Sequence, residues 1–154
     1  MATRDLLSGP TTLSGAAGHD RNILHALEYP RLKEEFYQRL ESLAPLLRDT
    51  VAFHLGVDPS GVSISDRQWW CHGSFNVVVQ VHVWPDARPG TPQHSMLRFP
   101  LPYRVGEKVH PGNSDEKLNS EAATYAWLQE NCPTIPIPEL YAFGLSNGEM
   151  VRVT

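Results

Sequence analysis

The feature that most constrains this chain is the alternation between apolar and other side chains over residues 75–84. Successive residues of a β-strand point to opposite faces of a sheet, so a period of two buries one set and leaves the other outside. The apolar set is Phe75, Val77, Val79, Val81 and Val83, and the other set includes Asn76, Gln80, His82 and Trp84. The segment therefore predicts a strand in a sheet with one buried face.

Four further strands are predicted from similar patterns and from the turn residues between them. In chain order they cover residues 62–70, 95–99, 140–145 and 150–154. The segment from Pro85 to Pro92 is predicted as a hairpin loop, and Asn147-Gly148 as a tight hairpin turn. Trp69, Trp70 and Trp127 are expected to add area to the core.

Helices are predicted where apolar residues recur three and four positions apart. One starts at Pro30, and a second follows Pro45 and ends at Gly56, which is expected to form a left-handed cap. A third runs from Ser114, predicted as its N-cap, to about Glu130. Together the elements predict an α+β fold, a five-stranded antiparallel sheet carrying one packed helix and preceded by a short helical segment.

The chain is expected to divide into three parts. Residues 1–28 are rich in small polar residues that bury too little surface to offset the entropy of ordering, so they are predicted to form a mobile tail. Residues 29–57 form the helical prelude, and residues 58–154 form the sheet domain.

Composition excludes several classes of function. The 154 residues carry a formal net charge of -4 and no block of Lys or Arg, which argues against nucleic-acid or anionic-membrane partners. The absence of a long apolar run predicts no membrane segment and a cytoplasmic location. Cys71 and Cys132 are too isolated for a disulfide framework or a zinc site. His82 and His94 face each other in the predicted hairpin but lack a third ligand, so no metal site is predicted.

Three features point to a nucleotide cleft. Gly73 lies in a small-residue turn between two strands, where backbone amides can approach a phosphate, although such a turn can also be only a turn. Arg98 lies in an apolar strand and needs a partner, either within a site or at the surface rim. Glu121 falls on the apolar stripe of the third helix, where a carboxylate must be paired unless it reaches water. A strand cation oriented by a helix glutamate is the arrangement that holds phosphates in kinases.

Four runs carry a resemblance to a known family, and they occur in its order and spacing. They are Gly73-Ser-Phe-Asn76, Leu97-Arg-Phe-Pro-Leu-Pro102, Asn119-Ser-Glu-Ala-Ala-Thr-Tyr125 and Ile135-Pro-Ile-Pro138. The chain resembles, over roughly residues 62 to 150, the N-terminal lobe of the aminoglycoside phosphotransferase family, especially its fungal branch. That family belongs to the protein-kinase-like superfamily.

The resemblance implies an ATP site, in which Arg98 replaces the kinase strand lysine and pairs with Glu121. Met96 would line the adenine pocket, and the phosphates would be covered by Gly73, Ser74, Phe75 and Asn76. The family's catalytic and magnesium-binding aspartates belong to a C-terminal lobe that has no counterpart in this sequence. The chain is therefore expected to be truncated at the hinge, to lack catalytic residues and to be inactive alone, with Mg²⁺ bound only when that lobe is present.

The implied function is that of the nucleotide-binding lobe of an ATP-dependent phosphotransferase that phosphorylates a hydroxyl group. Its partners would be a nucleotide and, in a full-length enzyme, a small-molecule acceptor. The alternative is a non-catalytic binding or regulatory module, a degenerate or truncated kinase lobe. The sequence leaves open whether the protein is an enzyme.

Overall fold

The computed structural model describes residues 3–18, 24–84 and 91–153. The chain forms two compact units, Met1–Ser42 and Leu43–Thr154. The helical prelude predicted over residues 29–57 is divided between them, with one helix in each unit. Residues 85–90, most of the predicted hairpin loop, lie outside the described residues.

The first unit begins with an antiparallel hairpin of β1 (Thr3–Leu6) and β2 (Gly9–Thr12). Helix α1 (Leu13–Ala17) follows directly, because the Thr12 hydroxyl accepts a hydrogen bond of 3.1 Å from the Gly15 N–H and caps the helix. A 3₁₀ turn (Leu24–Glu28) leads into α2 (Tyr29–Ser42), which confirms the helix predicted from Pro30. The elements in residues 3–17 are not predicted from the sequence.

The second unit opens with α3 (Ala44–Leu55). Gly56 ends this helix in the left-handed region, with a φ of 65°, which confirms the predicted cap. Asp58 then shapes a 3₁₀ turn over Pro59–Gly61, since its carboxylate accepts from the backbone N–H and the hydroxyl of Ser60. This turn delivers the chain into the central sheet.

The central sheet is antiparallel and built around β5 (Asn76–Val83). Strand β6 (His94–Pro100) pairs along one edge of β5, while β3 (Val62–Ile64) and β4 (Cys71–His72) pair one after the other along the opposite edge. The single strand predicted over residues 62–70 is therefore wrong. A 3₁₀ turn at Arg67–Trp69 interrupts it, and the Trp70 indole N–H donates to the Ser65 carbonyl across the break.

The core of this unit lies between the sheet and α3. The β5 residues Val77, Val79, Val81 and Val83 are each at most 3% exposed, which confirms the predicted alternation. Val81 and Val83 form a buried cluster with Val51 and Ala52 of α3. Each valine buried in this way contributes about 1.5–3 kcal/mol by removing apolar surface from water. Phe75, predicted to share this face, lies before the strand and is exposed.

After β6 the chain forms α4 (Pro102–Val105), α5 (Asn113–Asn131) and a hairpin of β7 (Ala142–Gly144) and β8 (Met150–Arg152). The fold is α+β, but the predicted single five-stranded sheet is wrong. Among the described residues, β7 and β8 pair with each other and not with the central sheet, and α5 contacts β6. The turn at Asn147-Gly148 favours this local pairing, because closing a very short loop costs little conformational entropy.

Two tryptophans contradict the expectation that they would fill the core. Trp69 is 61% exposed and Trp127 is 57% exposed, while Trp70 is half-buried. In the described part of the chain, no helix combines the length and apolar character required to cross a bilayer.

Candidate functional site

The turn from Gly73 to Asn76 connects β4 to β5. It is closed by a hydrogen bond of 2.9 Å from the Gly73 N–H to the Asn76 carbonyl. Within the described residues, the N–H groups of Ser74 and Phe75 at its exposed tip donate to no protein acceptor. The tip therefore presents two adjacent N–H donors, the kind of group that can bind a phosphate oxygen.

Gly73 does not occupy a conformation reserved for glycine. Its φ lies outside the left-handed region, and a Cβ built on it would meet nothing within 4 Å. The fold thus accepts a larger residue at this position. What the glycine provides is open space beside the turn.

Arg98 lies on β6 directly opposite Val78 of β5, on the sheet face away from α3. Met96 shares that face, while Leu97 and Phe99 point to the buried face, as the alternation predicts. The Arg98 side chain is 43% exposed. Its guanidinium is therefore partly withdrawn from water but still accessible to a ligand.

Glu121 reaches Arg98 from helix α5. The distance from Arg98 Nη2 to Glu121 Oε1 is 3.3 Å, so the structure brings together the two charges that the sequence analysis pairs. Glu121 lies beside the buried Ala122 on the inward side of α5, and its side chain is 30% exposed. A role for this pair in binding a nucleotide stays a prediction.

Asn76 contacts the same guanidinium from the turn. With its amide oriented to satisfy both ends, the oxygen accepts from Arg98 Nε at 3.2 Å and Nη2 at 2.7 Å, and the nitrogen donates to the Phe75 carbonyl at 3.2 Å. Asn76 therefore helps to position Arg98. Its predicted role as part of the cover over phosphates stays a prediction. The turn and the ion pair form one connected site.

Lys117 is a member of this site that the sequence analysis missed. Its ammonium contacts Glu121 Oε1, the same oxygen that accepts from Arg98. The available signal was the spacing, because residues four apart on a helix are neighbours on its surface. The cluster of Arg98, Lys117 and Glu121 contains two cations and one carboxylate, and we refer to it as the charge triad.

The sheet face beside the charge triad is open. Met96 is 70% exposed, and it pairs across the strands with Gln80, which is only half-buried. Val78, between Asn76 and Gln80 on β5, is also half-buried. Met96, the residue predicted to line an adenine pocket, is therefore accessible to solvent, and its role in binding a nucleotide stays a prediction.

Helix α5 is held at its start by a residue that precedes it. Glu107 accepts from the N–H of Gly112 at 2.6 Å and of Ser114 at 2.7 Å. The bond from Gly112 is the largest cause that holds the pKa of the Glu107 carboxyl below its usual value, and Ser114 lowers this pKa further. Ser114 is therefore not the N-cap that the sequence predicts. Its hydroxyl caps nothing because Glu107 supplies the acceptor.

A second carboxylate connects α5 to the β7–β8 hairpin. Asp115 accepts from the Ser146 N–H at 2.9 Å and from the Ser146 hydroxyl at 2.5 Å. Together with Glu107, it fixes the amino-terminal turn of the helix that carries Lys117 and Glu121. The charge triad is thus supported from both neighbouring segments.

Other candidate sites are weaker. The rings of His82 and His94 meet edge to face at 5.2 Å, and within residues 3–18, 24–84 and 91–153 no three potential metal ligands cluster. An open groove of about 320 Å³, lined by Asp49, Thr50, Phe53, His54 and Met150, contains none of the predicted site residues. Cys71 and Cys132 are both free thiols.

No protein-family model, no curated protein and no solved structure matches this chain.

Proposed function

We propose that the second unit binds ATP as the nucleotide-binding lobe of a kinase-like phosphotransferase. The phosphates would lie between the Gly73–Asn76 turn and the charge triad, and the adenine on the open sheet face beside Met96. The hydroxyl acceptor and Mg²⁺ are assigned to no residue of this chain. The resemblance of the sequence to the aminoglycoside phosphotransferase family also supports this proposal.

The observation that carries the proposal is the way Arg98 is held. Its Nε and Nη2 are engaged by Asn76 and Glu121, and none of these contacts involves Nη1. A guanidinium fixed on one side and accessible on the other is pre-organised for a phosphate oxygen, since its orientation need not be established when the ligand binds. Phosphoryl-transfer sites depend on such positioned cations.

The charges of the site support an anionic ligand. The triad has a formal charge of +1, from two cations and one carboxylate, in a chain whose overall charge is -4. The exposed N–H groups at the tip of the turn add donors of the same polarity. A polyphosphate would complete the pairing of both cations.

The test compares two arginines that differ in role but match in exposure. Arg98 is 43% exposed and Arg48 is 42% exposed, and each contacts a carboxylate. We expect Arg98→Met to weaken ATP binding by about tenfold or more, because a charge-assisted bond to phosphate is lost, and Arg48→Met to leave it unchanged. Isothermal titration calorimetry with ATP measures both affinities.

Stability serves as the control for this comparison. Exposed ion pairs contribute about 0–1 kcal/mol, so both variants should unfold in urea close to the parent protein. Equal ATP affinity in the parent and in Arg98→Met would exclude Arg98 from the site. Failure of the parent to bind ATP would reject the proposed function itself.

A further inference from the structure

The charge triad contains one more cation than an ordinary surface ion pair. One carboxylate oxygen of Glu121 accepts from two cations, Lys117 on its own helix and Arg98 on the facing strand. The carboxylate can neutralise only one of them. The site is therefore left with one formal positive charge.

Helix stability alone does not account for Lys117. A lysine that precedes its glutamate by four residues has the less favourable order for a helical ion pair, which contributes only a few tenths of a kcal/mol in either order. The Lys117 side chain is nevertheless only 22% exposed, about half the value for Arg98. The Lys117 side chain as a whole is thus partly withdrawn from water, while its ammonium contacts Glu121.

We infer that Lys117 is a second phosphate-binding cation, and that the site takes nucleoside di- and triphosphates in preference to monophosphates. This inference rests on the proposed ATP site and extends it to a residue on α5. Both cations contact the same oxygen, so they lie close enough together for neighbouring phosphoryl groups of one ligand to reach both. Glu121 acts as the positioning residue for the pair.

The two cations suit different tasks. The Arg98 guanidinium is planar and held edge-on by Asn76, which favours a directional contact with one phosphoryl group. The Lys117 ammonium is a compact point charge on a flexible stem, which can follow a phosphoryl group as it moves. The strand arginine therefore supplies orientation, and the helix lysine supplies a positive charge on a flexible side chain.

The test uses the whole chain and titrates it with ATP, ADP and AMP. We expect Lys117→Met to weaken binding of ATP and ADP by about five- to tenfold and of AMP by less than about twofold, since only the longer phosphate chains reach both cations. Lys117→Arg, which keeps the charge, should restore most of the affinity. Lys108→Met, at an exposed lysine outside the charge triad, is the control and should bind all three nucleotides like the parent.

The outcomes separate this inference from the one on which it rests. If Arg98→Met weakens ATP binding while Lys117→Met binds ATP, ADP and AMP like the parent, the ATP site stands and the role of Lys117 is wrong. An equal loss for all three nucleotides also overturns the inference, because it would mark Lys117 as a general support of the site. If the parent binds no nucleotide, both proposals fail.

Thermal unfolding tests whether a loss of stability, rather than the loss of a phosphate contact, accounts for weaker binding by Lys117→Met. Glu121 keeps Arg98 as a partner in Lys117→Met, so no carboxylate is left without a cation. We expect the midpoint of this variant to match that of Lys108→Met without ligand, and to rise less than the parent when ATP is added.

Discussion

The two faces of the β5–β6 pair come from alternate residues of the same strands, yet they have different roles. On the face against α3, Val77, Val79 and Val81 are at most 1% exposed. On the other face, Met96 and Arg98 stand in contact with solvent. One face thus stabilises the unit by excluding water, while the other keeps polar and apolar groups accessible to a ligand.

The exposed residues of the candidate site and the buried valines therefore lie on opposite faces of the same two strands. Val81 and Val83 of the buried face form a core cluster with Val51 and Ala52 of α3. The open face is bordered by α5, which contributes Lys117 and Glu121 of the charge triad and leaves Met96 exposed. Changes on the first face should therefore alter stability, and changes on the second should alter binding.

The largest expected effect comes from placing the same charge on each face in turn. Val79→Asp should lower the free energy of unfolding by more than about 4 kcal/mol, because it buries a carboxylate without a partner. Gln80→Asp, one residue away, should cost about 1 kcal/mol or less, because its side chain reaches water. Urea unfolding followed by circular dichroism measures both. Similar losses at the two positions would contradict the division between the faces.

The division between faces is also the part of the fold that the sequence predicts best. Alternation depends only on the geometry of one strand, so the valines of β5 and the placement of Arg98 beside Met96 can be derived locally. The cap at Gly56 follows from local geometry in the same way. The approach of Glu121 to Arg98 followed from combining two such faces with the resemblance.

Pairing between distant segments could not be derived in this way. Whether the β7–β8 strands join the central sheet depends on what covers the edge of β6, and α5 contacts that strand. Nothing in the local pattern of residues 142–152 contains this information. The exposed positions of Trp69 and Trp127 have the same origin, because a tryptophan is buried only where another element covers it.

The site residues missed by sequence reasoning are those whose role depends on a third group. Lys117 belongs to the charge triad because it contacts the same Glu121 oxygen as Arg98. An i,i+4 ion pair on a helix is ordinarily an exposed feature, so the spacing of Lys117 and Glu121 does not by itself indicate a site. Glu107 replaces Ser114 as the cap of α5 because the α4–α5 segment folds back on itself. A capping rule based on neighbouring residues favours the serine and does not consider that segment.

A smaller effect should follow from removing the support of α5, the helix at the border of the open face. Glu107→Gln should lower the free energy of unfolding by about 1 kcal/mol, since a neutral amide is a weaker acceptor for the N–H groups of Gly112 and Ser114. ATP affinity should also fall, because α5 carries two members of the triad. Urea unfolding and ATP titration measure the two effects, and Glu130→Gln, near the other end of the helix, is the control.

The same residue predicts a pH dependence. The pKa of Glu107 is lower in the folded protein than its usual value of 4.5, so its contribution to stability is present above that value. The contribution is lost as the pH falls from 4.5 through the lowered pKa of the folded state. The difference in stability between the parent and Glu107→Gln should therefore narrow as the pH is reduced over that range. A constant difference would show that the charge of Glu107 is not what caps the helix.

The smallest effect on stability is expected at Gly73, in the turn where the open face ends. A change at this position should alter ATP affinity without lowering stability. Gly73→Ala places a methyl group in open space at an ordinary φ, so stability should be unchanged or rise by at most about 1 kcal/mol. Gly148→Ala is the matched control in the β7–β8 turn: it also meets open space, but its φ of 88° should make alanine cost about 1–2 kcal/mol. ATP affinity should show the reverse order, falling several-fold in Gly73→Ala, because the methyl group occupies the space where phosphates approach the backbone, and staying constant in Gly148→Ala. If Gly73→Ala binds ATP as tightly as the parent, the turn does not contact the phosphates, and binding would have to be attributed to the charge triad alone.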